Sequence, residues 1–428
     1  MRVRDEFFLF LFLVSPVRAE IFDPSASRAL TLAEAYQLAI RQSEELAQRK
    51  DGLIELEAKI SELWSAVYPK IALRHSEFLQ DSQQRETSGV SGSFTSRKRP
   101  ETRFTGRQPI FSGFKEYLAL KAGHAARKAA ESDLIRAREL LYQDVAQAYF
   151  DLLGLQKEIA IRREIAKLTG ERLAELRTRE KIGRSRRSEV LAAEAQLAGL
   201  DAQIEAAKGD QAKAQEALRF LTGLAEELAP GEESGPAAPA SLEESLAAVK
   251  KRSDLETARE ELRIAEFEAK IAWRAFWPTV NLDGNYYLER TGLQKEIKWD
   301  VLAVAEIPIF QGGALRAKVH QAQARRRSAQ EAVSLAQRRA ASEVRSIWSE
   351  FVSATRVEDA LNKAVSSAQA NVKAQSEDYR LGLVDNLDVL GSLNSLQETQ
   401  LRRQEADLNS ALLRVKLKVA TGGVDENF

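Results

Sequence analysis

The sequence contains no cysteine, which excludes disulfides, thiolate metal sites and thiol catalysis and leaves no thiol to carry an N-terminal lipid. A single methionine argues against soft-metal ligation by this chain. Lysine plus arginine (63) balance aspartate plus glutamate (63), so no basic excess asks for nucleic acid. His75, His124 and His320 stand far apart in the chain and do not make a multi-ligand metal set. There is no nucleophile elbow, phosphate loop or HExxH motif, and the sequence points to neither an enzyme nor a cofactor. Proline is sparse, at 10 of 428 residues, and aromatics are 7%. What remains is led by Ala, Leu, Glu, Arg and Gln, the composition of long helices.

Residues 1–19 read as an export signal. Arg2 and Arg4 precede the apolar run Phe7 to Val14, and Val17-Arg18-Ala19 offers a small-residue cleavage site before Glu20, although Asp5 and Glu6 are atypical of such a segment. The apolar run is shorter than the roughly 20 residues of a spanning helix, and no later segment approaches that length. An exported chain of this kind is soluble, secreted, or built into an outer membrane as strands.

The rest of the chain is written twice. Pro109-Ile110-Phe111-Ser112-Gly113, Gly183 and Thr222-Gly223 return 199 residues later as Pro308-Ile309-Phe310-Gln311-Gly312, Gly382 and Thr421-Gly422. Val145, Val190, Leu191 and Leu218 find Val344, Val389, Leu390 and Leu417 at the same offset. Upstream the offset is 209, matching Trp64-Ser65-Ala66-Val67-Tyr68-Pro69 to Trp273-Arg274-Ala275-Phe276-Trp277-Pro278. The first copy therefore carries ten more residues between Pro69 and Pro109, where a surface loop absorbs them. A register unbroken over such a length suits helices packed in step. Repeat 1 spans 20–223 and repeat 2 spans 241–423, with a Pro/Gly-rich linker at 224–240 and a tail at 424–428. The linker, with the tail, is expected to wrap the helices near their middle.

Each repeat opens with a helical pattern, Leu30 to Trp64 and Ser241 to Trp273, followed by a stretch of different character. Val280, Leu282, Tyr286 and Leu288 alternate with Asn281, Asp283 and Asn285, the period of a half-buried strand. The segments 279–290 and 299–310 form one predicted hairpin, and 70–109 holds a second, bracketed by Ile71–Arg74 and Arg103–Arg107. Trp299, Tyr286 and Tyr287 are candidates for an interfacial girdle. The long helices follow. Leu134, Leu141, Val145, Ala148, Leu152, Leu155 and Ile159 form a coiled-coil seam, matched by Val344, Ile347, Phe351 and Ala354. Ser112 to Ile182 measures about 105 Å as a helix. The return arm covers about half of that, so a return arm and an opening helix stacked end to end equal one long helix. The fold class is mainly α with a small β part: duplicated long-helix coiled-coil hairpins plus four β-strands per chain.

Four strands cannot close a barrel, and open edges are not tolerated in lipid. The smallest spanning barrels have about eight strands, so two, three or four protomers would have to share one. The export signal, the duplicated plan of helix, W-x-x-x-x-P, hairpin, P-I-F-x-G and long helix, and the paired glycine turns together resemble the TolC-type outer-membrane efflux family from Leu30 to Gly423. That resemblance implies a homotrimer with a 12-strand β-barrel in the outer-membrane lipid, continuous with a 12-helix periplasmic tunnel. It implies a passive exit duct served by a periplasmic adaptor (membrane fusion) protein and an inner-membrane pump of an efflux or secretion system. The alternative from another class is a soluble periplasmic coiled-coil scaffold or adaptor, which leaves the strands and the P-I-F-x-G turns without a purpose.

The resemblance places the working part at the helical tips, as gate and adaptor contact: Gly183, Arg184, Arg186 and Arg187 in copy one, Gly382, Leu383, Val384, Asp385 and Asp388 in copy two. Each glycine is expected to end a helix with φ > 0, and Asp385 or Ser188 to cap the next. Copy two keeps the family's Gly-Leu-Val and aspartate pattern, whereas copy one replaces apolar tip residues with arginines. The expectation is that basic and acidic tips alternate around a ring and pair to hold the aperture shut, set against a bland reading as solvated turns.

Overall fold

The computed structural model describes residues 30–81, 98–224, 229–232, 235–291 and 294–424. The expected export signal, most of the first hairpin loop, parts of the linker and of the second hairpin loop, and the last four residues lie outside the described set.

Two helices span most of the molecule's length. Helix α3 (Lys115–Lys181) and helix α7 (Ala314–Leu381) hold 67 and 68 residues, about 100 Å each. Each returns through a shorter helix, α4 (Arg187–Thr222) and α8 (Asn386–Ala420). The opening helices are interrupted, where the sequence pattern reads as continuous. In copy one, α1 (Leu32–Gln42) gives way to α2 (Glu44–Ser65) at Ser43, which ends the first helix and caps the second by accepting the Leu46 N–H. Thr31 and Glu34 form a capping box at the start of α1. In copy two, α5 (Leu242–Val249) and α6 (Ser253–Arg274) break at Arg252.

The breaks are where helices stack. Helix α4 ends at Gly223 against Gln42, and α8 ends against Arg252. The Arg136 guanidinium donates to the Val419 carbonyl (3.1 Å) and that of Arg252 to the Ala420 carbonyl (3.2 Å), placing cations on the orphan carbonyls at the α8 C-terminus. Glu139 closes the cluster by accepting from Arg136 (2.9 Å) and from the Ser253 hydroxyl (3.1 Å). Helix α3 packs against α2, α4, α6 and α8, whereas α7 packs mainly against α5, α6 and α8 and keeps much of its surface bare.

The predicted seam residues Leu134, Val145, Ala148, Leu152 and Ile159 are buried. The largest core forms at mid-length, where Leu32, Ala35 and Tyr36 of α1 meet Tyr142, Tyr149 and Phe150 of α3 and Leu412, Val415 and Val419 of α8. Tyr149 holds the linker there, its hydroxyl lying 2.9 and 2.8 Å from the carbonyl oxygens of Leu30 and Gly231. Leu30 also forms a parallel bridge with Pro230.

Strands β1 (Lys70–Leu79), β2 (Lys98–Phe111), β3 (Thr279–Arg290) and β4 (Trp299–Glu306) make one antiparallel sheet in chain order. Among the described residues the outer edges of β1 and β4 are unpaired. Alternation gives the sheet two unlike faces. Ile71, Leu73, Phe104, Leu282, Tyr286, Trp299 and Val301 fall on one face by register and are exposed. The other carries Arg107 paired with Asp283 (2.6 Å) and Asp300 accepting from Asn285 (2.8 Å) and the Tyr287 hydroxyl (2.7 Å). Tyr287 is thus buried on the polar face, not part of an aromatic girdle, because one step along a strand reverses the side. Tyr286 and Trp299 face each other across β3 and β4 on the apolar side. Strand β4 stops at Glu306, short of the expected Phe310. Where strand meets helix in copy one, Phe111 packs on Trp277 with ring centroids 6.3 Å apart. No helix among the described residues is long and apolar enough to cross a membrane.

Candidate functional site at the helical tips

Both hairpin tips are built by the same local chemistry. In copy one the Gly183 N–H donates to the Glu180 carbonyl (2.9 Å) and the Arg184 N–H to the Arg179 carbonyl (2.8 Å). In copy two the Gly382 N–H donates to Tyr379 (3.1 Å) and the Leu383 N–H to Asp378 (2.9 Å). These paired bonds are the Schellman ending, which needs one residue in the left-handed region; Gly183 (φ 72°) and Gly382 (φ 76°) supply it. Asp385 then caps α8, accepting from the N–H groups of Leu387 and Asp388, while the Asp388 carboxylate accepts the Asp385 N–H.

Ser188 does not cap α4. Arg186 occupies the extended cap position without a side-chain bond, so the helix starts at Arg187 and places Ser188 inside its first turn. The nearby hydroxyl that is engaged belongs to Ser185, which donates to Glu189 (2.5 Å).

Within one chain the nine expected tip residues sit at the ends of two adjacent hairpins, and no ion pair joins the arginines of one to the aspartates of the other among the described residues. Arg187 instead lies 3.5 Å from Glu180 of its own hairpin. Asp385 and Asp388 are occupied with each other's backbone. The link between hairpins comes from residues that the sequence did not single out. Arg172 of α3 donates through Nε to Asn386 Oδ1 of α8 (2.9 Å), through Nη1 to Glu175 (2.8 Å), and lays its guanidinium 3.6 Å from the Tyr379 ring centroid. Asn386 donates back to the Glu189 carbonyl (3.4 Å), and the Tyr379 hydroxyl reaches the Glu189 carboxylate (3.4 Å). Beneath them Leu173, Leu176, Val190, Ala193, Tyr379, Val389 and Leu390 form a core common to both hairpins. Ile182, Leu381, Leu383 and Leu387 are exposed at the very ends. The one available signal for this network was that the copies differ there: Tyr379 and Asn386 stand where copy one has Glu180 and Arg187.

A four-stranded sheet with one apolar face, set on helices that stack into rods about 100 Å long and end in paired hairpin tips, defines a protomer of a barrel-and-tunnel membrane channel. The outer membrane efflux protein profile matches residues 35–224 and 246–423, once for each repeat, and the chain belongs to that family. It is 24% identical over 420 residues to outer membrane protein TolC of Vibrio cholerae, covering 94% of this chain and 93% of that protein. It is 24% identical over 321 residues to the outer membrane efflux protein BepC of Brucella suis, covering 74% and 70% of the two chains. Among solved structures, the outer membrane protein VceC of Vibrio cholerae superposes with a TM-score of 0.80 at 19% identity, covering 92% of this chain and 96% of that one. The open state of the MtrE outer membrane channel of Neisseria gonorrhoeae gives 0.77 at 19% identity, with 92% and 89% covered. The protein is an outer-membrane efflux channel component.

Proposed function

We propose that three copies of this chain form a 12-strand barrel in the outer membrane, continuous with a 12-helix tunnel through the periplasm, and act as a passive exit duct. The observation that carries this reading is the sheet: among the described residues it has four strands, one apolar face, and two unpaired edges that lipid does not tolerate. Its polar face, with Arg107–Asp283 and Asn285–Asp300, would line the lumen. A periplasmic adaptor and an inner-membrane pump supply energy and cargo. The tips, from Gly183 to Arg187 and from Gly382 to Asp388, form the periplasmic aperture, and the exposed Leu381, Leu383 and Leu387 offer the adaptor an apolar landing point.

In this reading the aperture is closed when Arg172, Asn386, Tyr379 and Glu189 hold the α7–α8 hairpin against the α3–α4 hairpin. Opening requires those bonds to part. Outer-membrane fractionation, unboiled gel electrophoresis and planar-bilayer conductance test it together. A detergent-extracted trimer with small conductance is the expected result. Release by osmotic shock as a monomer without conductance would leave a periplasmic scaffold instead.

A further inference from the structure

The internal repeat determines how one copy meets the next. Resting on the reading that copies of this chain share one barrel, we propose that β4 of one copy pairs with β1 of a second copy in the register that β2 and β3 use within the chain, bringing Glu306 of one copy opposite Arg74 of the other.

Two sequence offsets and the observed β2–β3 pairing fix that register. Strand β4 is the equivalent of β2, 199 residues on, and β1 is the equivalent of β3, 209 residues back. Between Arg103 and Pro109 the β2–β3 register is continuous, with Arg107 opposite Asp283. Applying the offsets turns Arg107 into Glu306 and Asp283 into Arg74. The intrachain salt bridge of 2.6 Å thus becomes an interchain pair of opposite charges with the signs exchanged. Arg74 and Glu306 are both exposed on the edge strands, and by strand register both fall on the polar face.

Three further features agree with this register. Strand β2 continues to Phe111 because β3 supplies partners for Gln108, Pro109 and Phe111; the equivalent stretch after Glu306 has no such neighbour among the described residues and is not a strand. Ile309 and Phe310, 95% and 85% exposed, are the counterparts of Ile110 and Phe111, and the latter packs on Trp277. The counterpart of Trp277 is the exposed Tyr68, which would receive Phe310 of the adjacent copy. Among the helices, the Ser253–Glu139 hydrogen bond between α6 and α3 maps onto Glu44 of α2 and Arg338 of α7, again oppositely charged and both exposed. A seam that merely covered apolar edges would not place complementary charges at two such distant points.

The absence of native cysteine makes cross-linking a direct test in the full-length protein in outer membranes. Residues directly opposite in an antiparallel pair bring Cβ atoms to about 4.5–5.5 Å, close to disulfide reach, whereas neighbours two residues off lie about 7–8 Å apart. Oxidation of Arg74→Cys/Glu306→Cys should give reducible covalent dimers and trimers on denaturing gels. Arg74→Cys/Val304→Cys, on the same face but two residues out of step, should give several-fold less. Arg107→Cys/Asp283→Cys, the same geometry inside one chain, is the positive control. Stronger cross-linking at the out-of-step pair, or none at either in a protein that still runs as an oligomer unboiled, overturns the register alone. A working control with no interchain product and only monomer unboiled overturns the shared barrel itself. For the helical half, Arg338→Glu should lower the temperature at which the unboiled oligomer dissociates, and adding Glu44→Arg should restore it. Failure of the double variant to recover overturns that pairing.

Discussion

Arg172 and Arg252 are both buried guanidiniums, with side chains only 7% and 4% exposed, and a buried charge that loses a partner is strongly destabilising. Arg172 donates through Nε to Asn386 of the other hairpin and through Nη1 to Glu175, while Nη2 has no hydrogen-bond partner among the described residues and the guanidinium lies over the Tyr379 ring. Arg172→Ala should therefore free Asn386 and uncover Tyr379, raising single-channel conductance in planar bilayers while leaving the Arg179–Glu175 pair (2.7 Å) in place. Conductance equal to that of the native protein would mean that the Arg172–Asn386–Tyr379 network does not hold the aperture closed. Arg252 works differently, clamping Asp254 with two bonds of 2.9 and 2.6 Å while reaching Glu343 and the Ala420 carbonyl. Burial alone would raise the Asp254 carboxyl, but the bonds to Arg252 outweigh it and hold the group below its usual range. A depressed carboxylate stabilises the fold above its unfolded pKa, and that contribution disappears as pH falls through the folded value. Acid should loosen the mid-length joint below the ordinary carboxylate range. Asp254→Asn should remove that part of the pH dependence, read as the dissociation temperature of the oligomer against pH.

At the scale of elements, caps and seams divide the work. Asp385→Ala removes a side chain that satisfies two N–H groups of α8, at a cost of about 1 kcal/mol. Faster hydrogen exchange over residues 386–389 would show it, with exchange in α3 unchanged. Leu152→Ala opens a cavity between α3 and α4 and should cost about 2–5 kcal/mol, visible as a lower unfolding temperature. The seam was legible because a coiled coil writes its period into the sequence, as Val145, Leu152 and Val344 illustrate. The hairpins were legible for the same reason at period two. The breaks at Ser43 and Arg252 were not, because the apolar period runs through both sites. What interrupts each helix is tertiary: the blunt end of another helix arriving from nearly two hundred residues away. The Arg172–Asn386–Tyr379 network escaped for a related reason. Its members lie on different hairpins, and no local pattern joins them.

At the scale of the whole molecule, the sheet makes the sharpest statement about surroundings. Tyr286 and Tyr287 are neighbours in sequence and opposites in environment, one exposed on the apolar face and one bonded to Asp300 on the polar face. A cation on the lipid side of a barrel costs up to about 2–4 kcal/mol at the bilayer midplane. Tyr286→Arg should reduce the amount of oligomer recovered from outer membranes. Tyr287→Phe should leave insertion intact, since it loses one hydrogen bond on the polar side. Equal recovery of the two variants would contradict the assignment of faces.

The core at mid-length holds α1 and α8 against the same stretch of α3. During synthesis and export, α1 therefore finds only the α3 part of its apolar surroundings in the first repeat. Leu32 and Tyr36 wait for Val415 and Val419, which lie at the end of the second repeat and are among the last residues to arrive. The chain is thus obliged to travel with its amino-proximal helix unfinished. A quality-control protease meeting a stalled or shortened nascent chain would find its earliest helix, not its latest, the easiest place to cut.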